Sequence, residues 1–142
     1  MKELGESVIY TIEHLVELMA SLRDPERGCP WDLAQDEKAI INFTVEEVYE
    51  LVDTIEGGAG EGQNSEHFKG ELGDLLFQVL FFSQLADERS EFDFSAVVDS
   101  LFHKLIRRHP HVFELGQLRS EIMNSNAGDQ ANASTSTSAA SN

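Results

Sequence analysis

Between Leu72 and Phe82 the chain reads Leu-Gly-Asp-Leu-Leu-Phe-Gln-Val-Leu-Phe-Phe, apolar on nearly every side of a helix and carrying a single charge, Asp74. A helix of that kind is stable when protein surrounds it. An ionised carboxylate inside it is costly unless it is paired, protonated or bound to a cation. Glu71 lies three residues earlier on the same side, and two acids sharing one site repel unless a cation lies between them. The segment predicts a buried helix over residues 66–87 with a cation requirement in its middle.

Upstream, Ile41, Val45, Val48, Val52 and Ile55 fall at alternating spacings of four and three, the seam of a bundle helix over residues 36–55. Glu46, Glu47 and Glu50 project away from that seam, and their helical spacing lets Glu47 or Glu46 converge with Glu50. On that helix alone the acids read as a solvated face, and Thr44 with Glu47 matches a capping box. Opposed to Glu71 and Asp74, they become oxygen donors from two helices, a set that suits magnesium or manganese. The break Gly57-Gly58-Ala59-Gly60-Glu61-Gly62 lets the chain reverse, so the two helices are expected to run antiparallel. No Glu-x-x-His motif of the di-iron bundles occurs in the sequence, which disfavours redox chemistry.

The rest of the chain supplies a frame. Val8, Ile12, Leu15, Val16, Met19 and Leu22 predict an amphipathic helix over residues 7–23, with His14 on its solvated side. Asp24-Pro25 and Gly28-Cys29-Pro30-Trp31-Asp32 read as a loop. Trp31 there either closes a core, the commoner use of a large aromatic, or stacks on a flat ligand. Phe92-Asp93-Phe94-Ser95 starts a fourth helix with Asp93 as N-cap. Lys104, Arg107 and Arg108 near its end either answer the helix dipole or grip phosphate oxygens. His109-Pro110-His111 terminates that helix and reads as a loop rather than a metal site.

Net charge of -16 over 142 residues argues against nonspecific binding to nucleic acid or an anionic membrane. The single cysteine, Cys29, suits a reducing compartment, and no apolar run reaches spanning length; a cytoplasmic protein is expected. The 41% hydrophobic content is enough for one core. One all-α, four-helix-bundle-like domain is expected over residues 1–118, followed by a low-complexity, disordered tail over 119–142.

Carboxylate-held magnesium beside basic side chains is apparatus for splitting a phosphoanhydride, which gives a reaction class but no substrate. Glu46-Glu47-x-x-Glu50 followed by Glu71-x-x-Asp74 resembles the signature of the all-α nucleoside triphosphate pyrophosphohydrolases. Within that superfamily the chain is similar to MazG domains through Leu22-Arg23-Asp24-Pro25, Gly28-Cys29-Pro30-Trp31-Asp32, Gly70-Glu71-Leu72-Gly73-Asp74 and Arg107-Arg108-His109-Pro110-His111-Val112-Phe113. The match most resembles the N-terminal domain of two-domain members.

The resemblance implies hydrolysis of nucleoside triphosphates to monophosphates and pyrophosphate by attack at the α-phosphorus. It implies Glu47, Glu50, Glu71 and Asp74 as magnesium ligands (manganese being the alternative ion), with Glu47 and Glu46 serving the chemistry and Glu46 either supporting a ligand or activating water. Lys104 and Arg108, with Arg107, would contact the triphosphate, and Trp31 is carried as a substrate contact. A homodimer or higher oligomer is implied too. Two other readings stay open: a catalytically weak helical assembly domain, and a dedicated dUTP hydrolase. Where related proteins place a lysine shortly before Glu71, this chain offers His67 or Lys69 at a different register.

Overall fold

The computed structural model describes residues 9–58 and 65–113 and Leu118. The described residues form an all-α structure of five helices: α1 (Ile12–Leu22), α2 (Pro30–Leu33), α3 (Glu37–Glu56), α4 (Ser65–Glu88) and α5 (Phe94–Arg108). The chain divides into two compact units, Met1–Val97 and Val98–Asn142. The expected tail, the start of the first helix at Ser7 and Val8, and most of the glycine-rich connection lie outside the described residues.

Helix α1 begins later than its periodicity suggests. Thr11 is extended, its N–H donates to His14 Nδ1 at 3.1 Å, and its hydroxyl lies 3.0 Å from the same nitrogen. The imidazole read as a solvated bystander therefore satisfies an end group of the helix, a place where backbone donors lack partners. After α1 the chain doubles back so tightly that a Cβ on Gly28 would lie 2.4 Å from the Leu22 carbonyl oxygen. That fold-back lets Cys29 N–H bond Leu22 O at 2.8 Å. Residues expected as plain loop then make the single helical turn α2, with Pro30 at its first position, where no N–H is needed.

Helices α3 and α4 pack along their length. Thr44 meets Gln78, Glu47 meets Asp74 and Glu71, and Gly57 shares a pocket with His67. Rising numbers on one helix meet falling numbers on the other, so the pair is antiparallel as expected. The face of α3 turned to α4 carries Ile40, Thr44, Glu47, Leu51 and Thr54, of which Ile40 and Thr54 are buried. Three expectations change here. Thr44 does not cap a helix: it sits inside α3, and its hydroxyl donates to Ile40 O at 3.0 Å and to Gln78 Oε1 at 3.2 Å. The seam Ile41, Val45, Val48, Val52 and Ile55 is not buried, each residue being 42–48% exposed. Nor does protein surround α4 on every side, since Leu72 and Val79 are 46% and 40% exposed.

The core of the first unit is Met19, Ile40, Leu80, Phe81 and Leu85, with Leu15, Val16 and Phe94 packed against it. Beside it, the Arg23 guanidinium lies 5.4 Å from the Phe81 ring centroid. It holds both Glu88 oxygens at 2.6 and 2.8 Å and donates to Asp32 O and Gln35 O. One side chain thus ties the ends of α1 and α4 to the α2 turn. Arg89 similarly joins Glu37 and Glu91. As expected, the Asp93 carboxylate accepts from Ala96 N–H at 2.8 Å and caps α5. In the second unit, α5 ends in Arg107 and Arg108, and His109-Pro110-His111 forms the terminating turn.

Candidate metal centre

The antiparallel register of α3 and α4 sets Glu47 against the turn of α4 that carries Glu71 and Asp74. One oxygen from each of these three carboxylates lies within 4.8 Å of the other two. Burial is divided otherwise than expected. Asp74 is exposed, whereas Glu71 is 6% exposed and its Oε2 has no hydrogen-bond partner. The reason is helical phase: Glu71 shares the α3-facing stripe with buried Gln78, seven residues on, while Asp74 lies at the edge of that stripe. The costly buried carboxylate is therefore Glu71.

Electrostatics point the same way. Burial, then repulsion from Asp74, Glu50, Glu71 and Glu46, pushes the Glu47 carboxyl above its usual range. A buried carboxylate oxygen without a donor costs on the order of 1–3 kcal/mol. A hard divalent cation among the three groups answers both costs at once. The donor set fits such an ion: carboxylate oxygens from two helices, with the far side open for water or phosphate.

The remaining expected residues fall in several places. Glu50 is exposed and is not one of the three converging groups. It lines a pocket of about 370 Å³ with Asp53, Thr54, Gly57, His67 and Glu71, so it borders the centre. Glu46 is exposed on α3, one residue from Glu47. His67 Nδ1 stands 3.4 Å from Glu71 Oε1, which puts an imidazole where a related lysine was sought. Trp31 does not close the core; it is 51% exposed and meets Phe43 edge-on, ring centroids 5.6 Å apart. Lys104, Arg107 and Arg108 stand on α5 in the second unit. Among the described residues none of these three is paired with a carboxylate.

Sequence reasoning missed Gln78. This buried amide bonds Thr44 one turn from the acids and fixes how α3 and α4 are set against each other. A glutamine among aliphatic and aromatic neighbours was the available signal, since a buried amide demands partners.

An antiparallel helix pair that brings Glu47 of Glu-Glu-x-x-Glu against both acids of Glu-x-x-Asp defines an all-α protein with a carboxylate cluster that could hold a metal ion. The MazG nucleotide pyrophosphohydrolase domain family matches residues 35–113, and the chain belongs to that family. It is 47% identical over 102 residues to a nucleoside triphosphate pyrophosphohydrolase of Escherichia coli K12, covering 72% of this chain and 37% of that protein. It is 44% identical over 113 residues to the nucleoside triphosphate pyrophosphohydrolase/pyrophosphatase MazG of Thermotoga maritima, covering 80% and 40% respectively. With a nucleoside triphosphate pyrophosphohydrolase of Mycobacterium tuberculosis it shares 34% over 102 residues, covering 70% and 30%. The chain thus spans well under half the length of these curated relatives.

Proposed function

We propose that this chain is a magnesium-dependent nucleoside triphosphate pyrophosphohydrolase, releasing a nucleoside monophosphate and pyrophosphate. The observation that carries the reading is Glu71, buried with an unpartnered oxygen where Glu47 and Asp74 converge on it. Glu47, Glu71 and Asp74 would hold the ion, with Glu50 joining from the adjoining pocket. Magnesium bound there, or manganese in its place, supplies charge neutralisation for the phosphates and a more acidic water. The protein's own part is to take the proton of that water. A carboxylate left free of ligation does this, and Glu46, exposed on α3 one residue from Glu47, is that group. The water attacks the α-phosphorus and pyrophosphate leaves. Lys104, Arg107 and Arg108 neutralise the triphosphate oxygens, and Trp31 contacts the nucleoside.

The substrate is a free nucleotide rather than nucleic acid, which a net charge of -16 repels. Among the described residues no helix is long and apolar enough to cross a membrane. The composition, with its single cysteine, suits a cytoplasmic enzyme that acts on the nucleotide pool and removes aberrant nucleotides. We assign it a homo-oligomeric state, dimer or tetramer, because the half-exposed seam Ile41, Val45, Val48, Val52 and Ile55 has the spacing of a helix-packing surface. That same surface favours the second reading, a helical assembly domain of weak activity.

Incubation with a panel of triphosphates, with and without magnesium, tests the proposal. Monophosphate and pyrophosphate are expected only with the metal, and orthophosphate with nucleoside diphosphate refutes attack at the α-phosphorus. A panel in which dUTP alone is cleaved makes the enzyme a dUTP hydrolase. Glu50→Gln and Asp74→Asn should each abolish turnover; activity surviving both refutes the metal site. No turnover, with magnesium still raising the melting temperature, favours the assembly domain.

A further inference from the structure

Trp31 and Phe43 form an exposed aromatic pair with no core to close. They are 51% and 37% exposed and meet edge-to-face with an interplanar angle of 63°. Both are firmly placed. Phe43 lies within α3, and the α2 turn that bears Trp31 is held by Arg23 through Asp32 O and Gln35 O. Phe43 precedes Glu47 by one helical turn, a rise of about 6 Å, and at 3.6 residues per turn it shares the flank of Glu47 and Glu50. The exposed seam of α3 lies on the other flank. A planar apolar surface therefore stands one turn from the carboxylates that would meet the α-phosphate, the kind of separation a ribose bridges between base and phosphate.

The polar side chains flanking the pair in sequence are committed elsewhere. Gln35 Nε2 donates to Trp31 O at 2.9 Å, and Asn42 Nδ2 donates to Lys38 O at 3.4 Å. One N–H of each amide is thereby engaged by the backbone of its own segment. The largest surface the pair offers is that of its rings, and stacking tolerates any base because every base has a π-face. A larger ring system covers more apolar surface.

Building on the pyrophosphohydrolase reading, we propose that Phe43, with Trp31, forms a nucleobase platform that recognises its ligand by stacking. It selects purine over pyrimidine nucleoside triphosphates without telling adenine from guanine.

Trp31 is the only tryptophan in the chain, so its fluorescence reports on the platform directly. The probes are the α,β-methylene analogues of ATP, GTP, CTP and UTP with magnesium, and inorganic tripolyphosphate as the base-free control. Purine analogues are expected to quench Trp31 and bind about five-fold or more tighter than pyrimidine ones, with adenine and guanine alike. Phe43→Leu should remove that preference and leave tripolyphosphate binding unchanged, while Phe43→Tyr, which keeps the ring, retains both. Analogues that bind no tighter than tripolyphosphate, or a purine preference that survives Phe43→Leu, overturn the platform and leave the metal-site reading standing. Failure of tripolyphosphate itself to bind with magnesium overturns both.

Discussion

The Thr44 hydroxyl donates to Gln78 Oε1 at 3.2 Å, a polar rung between α3 and α4 one turn from Glu47 on the first helix and Asp74 on the second. It fixes the register that brings the acids together. Thr44→Val keeps the volume but leaves the oxygen of a buried glutamine without that donor, at a cost of about 1–2 kcal/mol. Divalent-cation affinity should fall as well, although no ligand is removed. Thermal denaturation and isothermal titration calorimetry with magnesium measure the two effects, and an unchanged affinity would detach the rung from the site.

Glu71→Gln separates the cost of the buried charge from its use. Without a cation the native protein carries the Glu71 oxygen unpartnered and Glu47 raised by burial and then by repulsion from its neighbours, Glu71 among them. Removing one charge relieves that repulsion, so the cation-free variant should melt at or above the temperature of the parent. The parent should gain about 2.7 kcal/mol at magnesium a hundred-fold above its Kd, and chelation should reverse the gain. The variant should gain nothing. A magnesium-dependent rise that persists in Glu71→Gln places the ion elsewhere.

Much of this was legible in the chain because helix periodicity speaks for itself: α3, α4, their antiparallel course and the Asp93 cap follow from spacing and turn residues. Burial was harder to read. The valine-rich seam of α3 has the spacing of a packed face, yet Ile40, Thr44, Glu47, Leu51 and Thr54 are the residues turned to α4. Two stripes on one helix share the same period, and periodicity alone does not say which neighbour each one meets. The same ambiguity of phase moved the buried acid from Asp74 to Glu71. The turn α2 was hidden because a single helical turn leaves no period to detect, and its anchor, Arg23, reaches partners as far along the chain as Glu88.

Acid should loosen the Arg23 clamp. The hydrogen bonds from Arg23 hold the Glu88 carboxyl below its ordinary 4.5, against a smaller opposing effect of burial. The unfolded chain therefore takes up the proton before the native one does. The stabilisation from this pair is complete above about pH 4.5 and is lost as pH falls through the lower native value. Glu91, lowered by Arg89, acts in the same sense, whereas Glu47 acts oppositely in cation-free protein, its cost appearing as pH rises past the ordinary value. Urea denaturation between pH 7 and 3 should show a shallower acid decline in Glu88→Gln than in the parent. Parallel curves would mean that Glu88 is not linked to folding.

The exposed seam of α3 gives the last expectation. Val48 and Val52 sit at its middle, 43% and 42% exposed, flanked by Val45 and Ile55 at 48% each. Four half-exposed aliphatic side chains on one stripe make a surface that a second copy of the helix can cover, and burying each Val or Ile contributes about 1–2 kcal/mol on each side. Val52→Asp puts a charge in the centre of that surface without touching the α4-facing stripe. The variant should keep its helical circular dichroism while its mass by sedimentation or light scattering falls to that of a single chain. An assembly unchanged by both Val52→Asp and Val48→Asp would assign the contact to another face, with Leu72 and Val79 on α4 the next to substitute.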